Sequence, residues 1–251
     1  MKSDFIPKKR ILTLFLLIGI IMLLGWLFFS GASESLKEPG PLYEKDPKPA
    51  PLDGYVICVD PGHGIYPQEM RGAKNPEGTR GAFQAEHELN LKVGLLLEEM
   101  LKDLGAQVAM TRTQAQTSLD NRQRADFANE LGADLCVKLH ADSSPDPQIR
   151  GISVLIPGSC AGNDKEMLQD SAAAGEIILS QLLLSTGAEN LGLVERTDLT
   201  GFYWSEVPVV LVEMGFMSHP QEDALLQEPS YQRLLARGIA DGIVRCLVKG
   251  V

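Results

Sequence analysis

Tyr55-Val-Ile-Cys-Val-Asp-Pro-Gly-His-Gly64 decides how the chain is read. Its apolar half, Tyr55 to Val59, is crowded with β-branched residues and stopped by a Pro-Gly pair, which is the pattern of a buried strand. Polar groups then stand at the C-terminal lip. They are Asp60 and His63, with Gly62 and Gly64 letting the backbone come close to whatever the histidine serves. In a parallel α/β sheet that lip is where ligands bind. The question for the rest of the chain is which other side chains reach the same place.

Downstream, Ile65 to Phe83 is a long loop rich in Gly, Pro, Lys, Asn and Arg, and loops of that length are more often functional than idle. Glu86 to Leu104 reads as a helix, because Leu89, Val93, Leu96, Leu97, Met100 and Leu104 fall on one face and Gly105 ends it. Gln107 to Thr111 is the next strand. A second helix runs from Leu119 to Leu131 after a Ser118 cap, with Arg122 on its inward face. Ala133 to Leu139 is a buried strand that delivers His140. Gly151 to Ile156 is a fourth strand, Lys165 to Leu184 a long helix, and a loop with Gly187 and Gly192 follows. Val207 to Val212 is the fifth strand, with Glu213 at its end, and Pro229 to Val248 is the closing helix. Strands that are apolar on both faces and alternate with helices predict a three-layer α/β/α domain with a central, mostly parallel sheet.

His63, His140 and Glu213 each follow a separate apolar strand at the same polarity, so parallel strands would bring them to one rim. Two imidazoles and a carboxylate make a common catalytic zinc set that keeps the fourth position for water, and a further carboxylate is then needed to take the water's proton. Glu213 suits that role, since an ionisable group directly after Val209-Val-Leu-Val212 is costly unless it is partnered or used. Singly, each residue has an ordinary explanation: His63 a turn residue bonded to backbone, His140 a satisfied strand end, Glu213 an ion-pair partner of Arg122 or Arg196. Glu86 and Glu88 are both first-turn acids that suit a helix dipole, and spacing does not choose between them. His87 and His219 are expected to face solvent or to support the site from behind. Asp60 is a candidate to hold the other nitrogen of His63.

Working outward to the N-terminus, Met1 to Arg10 is short and basic, and Ile11 to Phe29 then carries no charge. An uncharged apolar run of about 20 residues is long enough to span a bilayer. It is read as an uncleaved anchor rather than a cleaved signal peptide, although Ser30-Gly-Ala32 resembles a cleavage site. Basic residues before the run and an acidic body after it place the rest of the chain outside the cytoplasmic membrane in single-pass topology. Cleavage would make the protein secreted or periplasmic instead. The divisions expected are 1–10 as a cytoplasmic flank, 11–29 as the membrane helix preceding the α/β domain, 30–52 as a linker, and 53–251 as the catalytic domain. Net charge is −10 with the N-terminal flank basic, so the body is strongly acidic and unsuited to nucleic acid or another polyanion. Cys58 and Cys136 sit in core strands. Cys160 and Cys246 offer a bridge that nothing in their spacing favours. No G-x-S-x-G elbow is present, which speaks against a serine hydrolase.

These residues resemble the zinc-dependent N-acetylmuramoyl-L-alanine amidases of the type 3 amidase family, from about Tyr55 to Leu247. Asp60-Pro-Gly-His-Gly64, Glu86-His-Glu-Leu-Asn-Leu91, Lys138-Leu-His-Ala-Asp142 and Leu211-Val-Glu-Met-Gly-Phe-Met-Ser-His-Pro220 carry the resemblance, with Leu119-Asp-Asn-Arg122 and Ala128-Asn129 between them. The resemblance implies that Zn2+ is held by His63, Glu86 and His140, thereby selecting Glu86 over Glu88. It also implies that Glu213 is the catalytic acid–base and that peptidoglycan, cut between N-acetylmuramic acid and L-alanine, is the substrate. A monomeric catalytic domain is expected. One N-terminal anchor joined to a bare catalytic domain resembles the layout of the germination-specific spore-cortex amidases. Lys138, Asp142 and His219 depart from the usual serine, asparagine and asparagine; none removes a ligand, and they are expected to alter the charge of the cleft or the substrate preference. The rival activities are a zinc peptidase acting on the stem peptide and a non-enzymatic, membrane-anchored wall-binding protein.

Overall fold

The opening strand, β1 (Val56–Pro61), lies between two parallel neighbours, and that placement fixes the sheet around it. The computed structural model describes residues 50–67, 77–159 and 164–248. After β1 come α1 (Glu86–Asp103), β2 (Gln107–Met110), α2 (Asn121–Glu130), β3 (Leu135–Asp142) and β4 (Ile152–Pro157). They are followed by α3 (Lys165–Thr186), β5 (Asn190–Arg196), a single turn α4 (Thr200–Tyr203), β6 (Val209–Phe216), α5 (Pro220–Gln227) and α6 (Pro229–Leu247). The six strands lie in the order β2-β1-β3-β6-β4-β5, and only the β4–β6 pairing is antiparallel.

Alternation along the strands sorts the core into two layers. Ile57, Val59, Val137, Leu139, Val210 and Val212 face α1, α3 and α6, where Leu89, Val93, Leu97, Ile178, Leu182, Leu235 and Ile239 complete a large apolar cluster. Cys58, Cys136, Val209 and Leu211 face the other way, onto a smaller cluster with Ala128 of α2 and Phe202 of α4. The fold is therefore the expected three-layer α/β domain with a mostly parallel sheet. Its thin side is the one where Asp60, Lys138, His140 and Glu213 fall by alternation.

Several elements differ from the reading of the sequence. Asn190–Arg196 is an edge strand rather than a loop. Its residues are mostly exposed or half-exposed and Gly192 interrupts them, so no buried apolar run marks it. α4 and α5 are additional short helices. α2 is capped by Asp120, whose carboxylate accepts from the Gln123 amide 2.8 Å away, and not by Ser118. Leu52, assigned to the linker, is fully buried, and its amide donates to Leu104 O at 2.9 Å, so the folded body begins before it. The expected membrane segment 11–29 lies outside the described residues. Among the described residues no helix is long and apolar enough to cross a membrane. Cys58, Cys136 and Cys246 are free thiols; Cys160 also lies outside the described residues.

Candidate functional site

β1, β3 and β6 pair in succession along the sheet, so the side chains that leave their C-terminal ends share one rim. His63 follows β1 by two residues and adopts a left-handed backbone, with φ of 60°. His140 lies in β3, directly in register with Glu213 of β6. Glu86 opens α1, whose start is delivered to the same rim by the loop that precedes it.

Glu86 Oε1 joins the two histidines. It lies 3.2 Å from His63 Nε2 and 2.9 Å from His140 Nδ1, and the two rings meet edge to face with centroids 4.8 Å apart. Burial alone would raise the Glu86 pKa, but hydrogen bonds from His140 and His63 offset it and hold the carboxyl well below the usual range. Burial lowers the His140 pKa, favouring the neutral, ligating imidazole, although Glu86 opposes that effect. The ligand atoms of His63, Glu86 and His140 all lie within 4.8 Å of one another. Donor atoms each about 2.0–2.2 Å from one tetrahedral centre stand roughly 3.3 Å apart. The two Glu86–histidine separations, 3.2 and 2.9 Å, are close to that spacing, and two imidazoles with a carboxylate are a donor set that suits a divalent metal ion.

Spacing had left Glu86 and Glu88 undivided, and the structure separates them. Glu88 Oε2 reaches back to the Ala85 amide at 3.1 Å and so serves the start of its own helix. Glu86 turns toward the histidines. Its second oxygen, Oε2, accepts from the Thr79 amide at 2.8 Å, and Asn90 Nδ2 lies 3.3 Å from Oε1. One helix thus spends two acids on different tasks.

Glu213 is half-buried, but its Oε2 is shut from solvent and has no hydrogen-bond partner among the described residues. Burial, reinforced by the nearby carboxylates of Asp142 and Glu86, pushes its pKa well above the ordinary value, with Arg196 partly opposing. Neither arginine considered as an ion-pair partner forms such a pair. Arg122 sits 3.9 Å above the Trp204 ring beside Asp126, and Arg196 pairs with Asp198 at 2.7 Å. A buried carboxylate oxygen left free next to a metal-type donor set can accept a proton from water and return it.

Two other expectations are corrected. Asp60 does not hold His63. It points into the thin layer, where it accepts from Lys138 Nζ, from Arg124 Nη1 at 2.5 Å and from Thr111 Oγ1 at 2.5 Å. Lys138 is therefore a buried partner of Asp60 and not a charge in the cleft. Of the two alternatives for His87 and His219, burial removes the solvent-facing one. His87 Nδ1 lies 3.1 Å from Glu77 O, and His219 caps α5 by accepting from the Glu222 amide at 3.3 Å.

Sequence reasoning placed Arg122 on the inward face of α2, yet the buried arginine is Arg124, which is only 1% exposed. The carboxylate in the first strand could have flagged it, since a buried Asp60 requires a cation and Arg124 lies one helical step from the inward-facing Ala128.

Residues 57–245 match the N-acetylmuramoyl-L-alanine amidase family. A germination-specific N-acetylmuramoyl-L-alanine amidase of Bacillus subtilis is 28% identical, the match covering 95% of this chain and 95% of that protein. An N-acetylmuramoyl-L-alanine amidase of Mycobacterium tuberculosis is 28% identical over 76% of this chain and 88% of its own length. Among solved structures, an N-acetylmuramyl-L-alanine amidase of Mycobacterium smegmatis superposes with a TM-score of 0.69 at 27% identity, covering 78% of this chain and 98% of that one.

Proposed function

The chain belongs to the N-acetylmuramoyl-L-alanine amidase family, and from that premise we propose a metal-dependent mechanism for it. As a member it is an enzyme that hydrolyses the amide between N-acetylmuramic acid and L-alanine in peptidoglycan. In the proposed mechanism His63, Glu86 and His140 hold a zinc ion. Bound there, zinc supplies Lewis acidity, which acidifies water and polarises the scissile carbonyl.

The protein's own groups do the rest. Glu86 is oriented by the Thr79 amide at one oxygen and by Asn90 at the other, so its carboxylate is fixed before any ligand arrives. Glu213 takes the proton from the attacking water at its free Oε2 and delivers it to the departing alanine nitrogen as the C–N bond breaks. The observation that carries this reading is the juxtaposition of a three-residue donor cluster with a carboxylate on the neighbouring strand whose buried Oε2 has no partner among the described residues.

Residues 11–29 are proposed to cross the cytoplasmic membrane, with 1–10 inside and the catalytic domain outside, tethered by the segment from residue 30 onward. Digestion of purified peptidoglycan tests the activity. Amidase action releases intact peptides with a free L-alanine amine and leaves peptide-free glycan, whereas shortened stem peptides would instead identify a peptidase. Loss of product on chelation and its return with zinc tests the cofactor.

A further inference from the structure

The turn that carries His63 leaves three successive carbonyls, Pro61, Gly62 and His63, pointing into a largely buried space. Two arginines fill that space. Arg112 donates from Nε to Pro61 O at 2.8 Å and from Nη2 to Gly62 O at 2.9 Å. Arg124 donates from Nη1 to Pro61 O at 2.9 Å and from Nη2 to His63 O at 2.8 Å. Each is fixed in turn by other partners. Arg112 Nη2 also reaches His87 O at 2.7 Å in the first turn of α1, and Nη1 reaches Gln114 O at 3.1 Å. Arg124 pairs with the Asp60 carboxylate and donates from Nε to Leu119 O at 3.2 Å.

We infer that Arg112 and Arg124 are positioning residues that preset His63 for metal. A non-glycine residue at φ of 60° is disfavoured and persists only where surrounding structure enforces it. Hydrogen bonds from a charged donor are stronger than those between neutral groups, and buried carbonyls left unpaired are costly. Four such bonds onto three consecutive carbonyls are enough to hold the strained turn without help from a ligand. A guanidinium suits the task because its planar fork serves several acceptors at once, whereas an ammonium offers a single point charge. Arg112 also ties the turn to the backbone of His87, next to Glu86, so one side chain sets two of the three donor residues relative to each other. Burial and the adjacent Arg124 bring Arg112 down to about 10, which leaves it protonated at neutral pH.

This inference rests on the proposed role of His63 as a metal-holding residue, and the test separates the two. The full chain, purified in detergent, is made as Arg112→Lys, Arg124→Lys and His63→Ala. Zinc affinity is read by competition with a chromophoric chelator. Amide hydrogen exchange is read in metal-free protein at Gly62 and Ile65, which donate to Leu139 O and Ala115 O on either side of the turn, with Ile239 to Val244 of α6 as the reference. Both lysine variants should exchange at least tenfold faster at Gly62 and Ile65 while the reference is unchanged, and should bind zinc at least tenfold more weakly. Unchanged exchange at the turn overturns the inference, as does faster exchange spread evenly over turn and reference, which would mark a purely structural role. If Arg124→Lys does not fold, Arg112→Lys, whose contacts are all to backbone carbonyls, decides alone. Wild-type zinc affinity in His63→Ala would sink the ligand role and leave the exchange result to judge the turn.

Discussion

His140 of β3 and Glu213 of β6 stand in register on adjacent parallel strands, so one sheet face presents a metal-type imidazole and a free carboxylate side by side. Glu213→Gln keeps the shape of that arrangement and removes only the ability to carry a proton. The expected outcome is a fall in muropeptide hydrolysis of at least 10²-fold, and up to about 10⁴-fold. Zinc content and melting temperature should stay near wild type. Zinc analysis beside a product assay checks this, and full turnover by the variant would remove Glu213 from the mechanism.

Asp60 couples the fold to pH. Burial would raise its pKa, but Lys138 and Arg124 outweigh burial and hold the carboxyl far below the ordinary value. A carboxylate whose folded pKa is depressed adds stability above its unfolded pKa, about 3.9, and that stability is lost as pH falls toward the folded value. Metal-free protein should therefore lose stability steeply below about pH 4. Asp60→Asn leaves two buried cations without their carboxylate and should cost about 3–5 kcal/mol in urea unfolding at neutral pH. Lys138→Met should cost clearly less, because Arg124 and Thr111 still serve Asp60. Equal losses from the two substitutions would mean that the Asp60–Arg124 contact does not hold the carboxylate alone.

Gly62 is required by proximity. A Cβ placed there would lie 2.2 Å from His140 Nε2, so Gly62→Ala has to push that ring away. Zinc affinity should fall at least tenfold and activity with it. Gly132 is the control: its φ is +57° but an added Cβ would meet open space. Gly132→Ala should cost about 1 kcal/mol of stability and leave zinc affinity intact. The contrast between the two variants, read by chelator competition and thermal melting, distinguishes a site effect from backbone strain.

Much of this was legible in the sequence because the informative strands are apolar on both faces. Val56 to Val59, Leu135 to Leu139 and Val209 to Val212 could belong only to a buried sheet, and His63, His140 and Glu213 follow directly from where they end. β5 was not legible, since an edge strand with half-exposed residues carries no such signal. The roles of Asp60, Lys138 and Arg124 were hidden for a different reason. Asp60 and Lys138 share a sheet face with His140 and Glu213, so alternation alone did not show that Arg124, on helix α2, covers Asp60. Spacing could not tell Glu86 from Glu88, because what separates them is the positions of the Thr79 and Ala85 amides.

Metal removal should be visible in stability as well as in activity. A ligand that binds only the folded state stabilises it by RT ln(1 + [L]/Kd), about 2.7 kcal/mol at a hundredfold excess over Kd. Adding zinc to chelated protein should raise its melting temperature in a concentration-dependent manner, and His63→Ala and His140→Ala should abolish the rise. A rise that survives both substitutions would place the ion elsewhere.

The most remote contribution to the site is expected from Asp223, at the start of α5. Its Oδ2 accepts from the Ala82 amide at 2.6 Å, although the two residues are 141 positions apart. Ala82 belongs to the loop whose Thr79 amide orients Glu86 and whose Thr79 carbonyl accepts from the Glu86 amide at 2.9 Å. Asp223 is itself 2% exposed, so its contact with the loop is not exchanged for water. Removing it should release the loop and take away a charge-assisted hydrogen bond, a loss of about 1.5–3 kcal/mol. Because the loop sets the direction of the Glu86 carboxylate, Asp223→Ala should also weaken zinc binding severalfold. Glu206→Ala, which removes an exposed carboxylate on the surface, should do neither. Zinc titration and urea unfolding of the two variants test the link, and an unchanged zinc affinity in Asp223→Ala would show that Glu86 is oriented without the latch on Ala82.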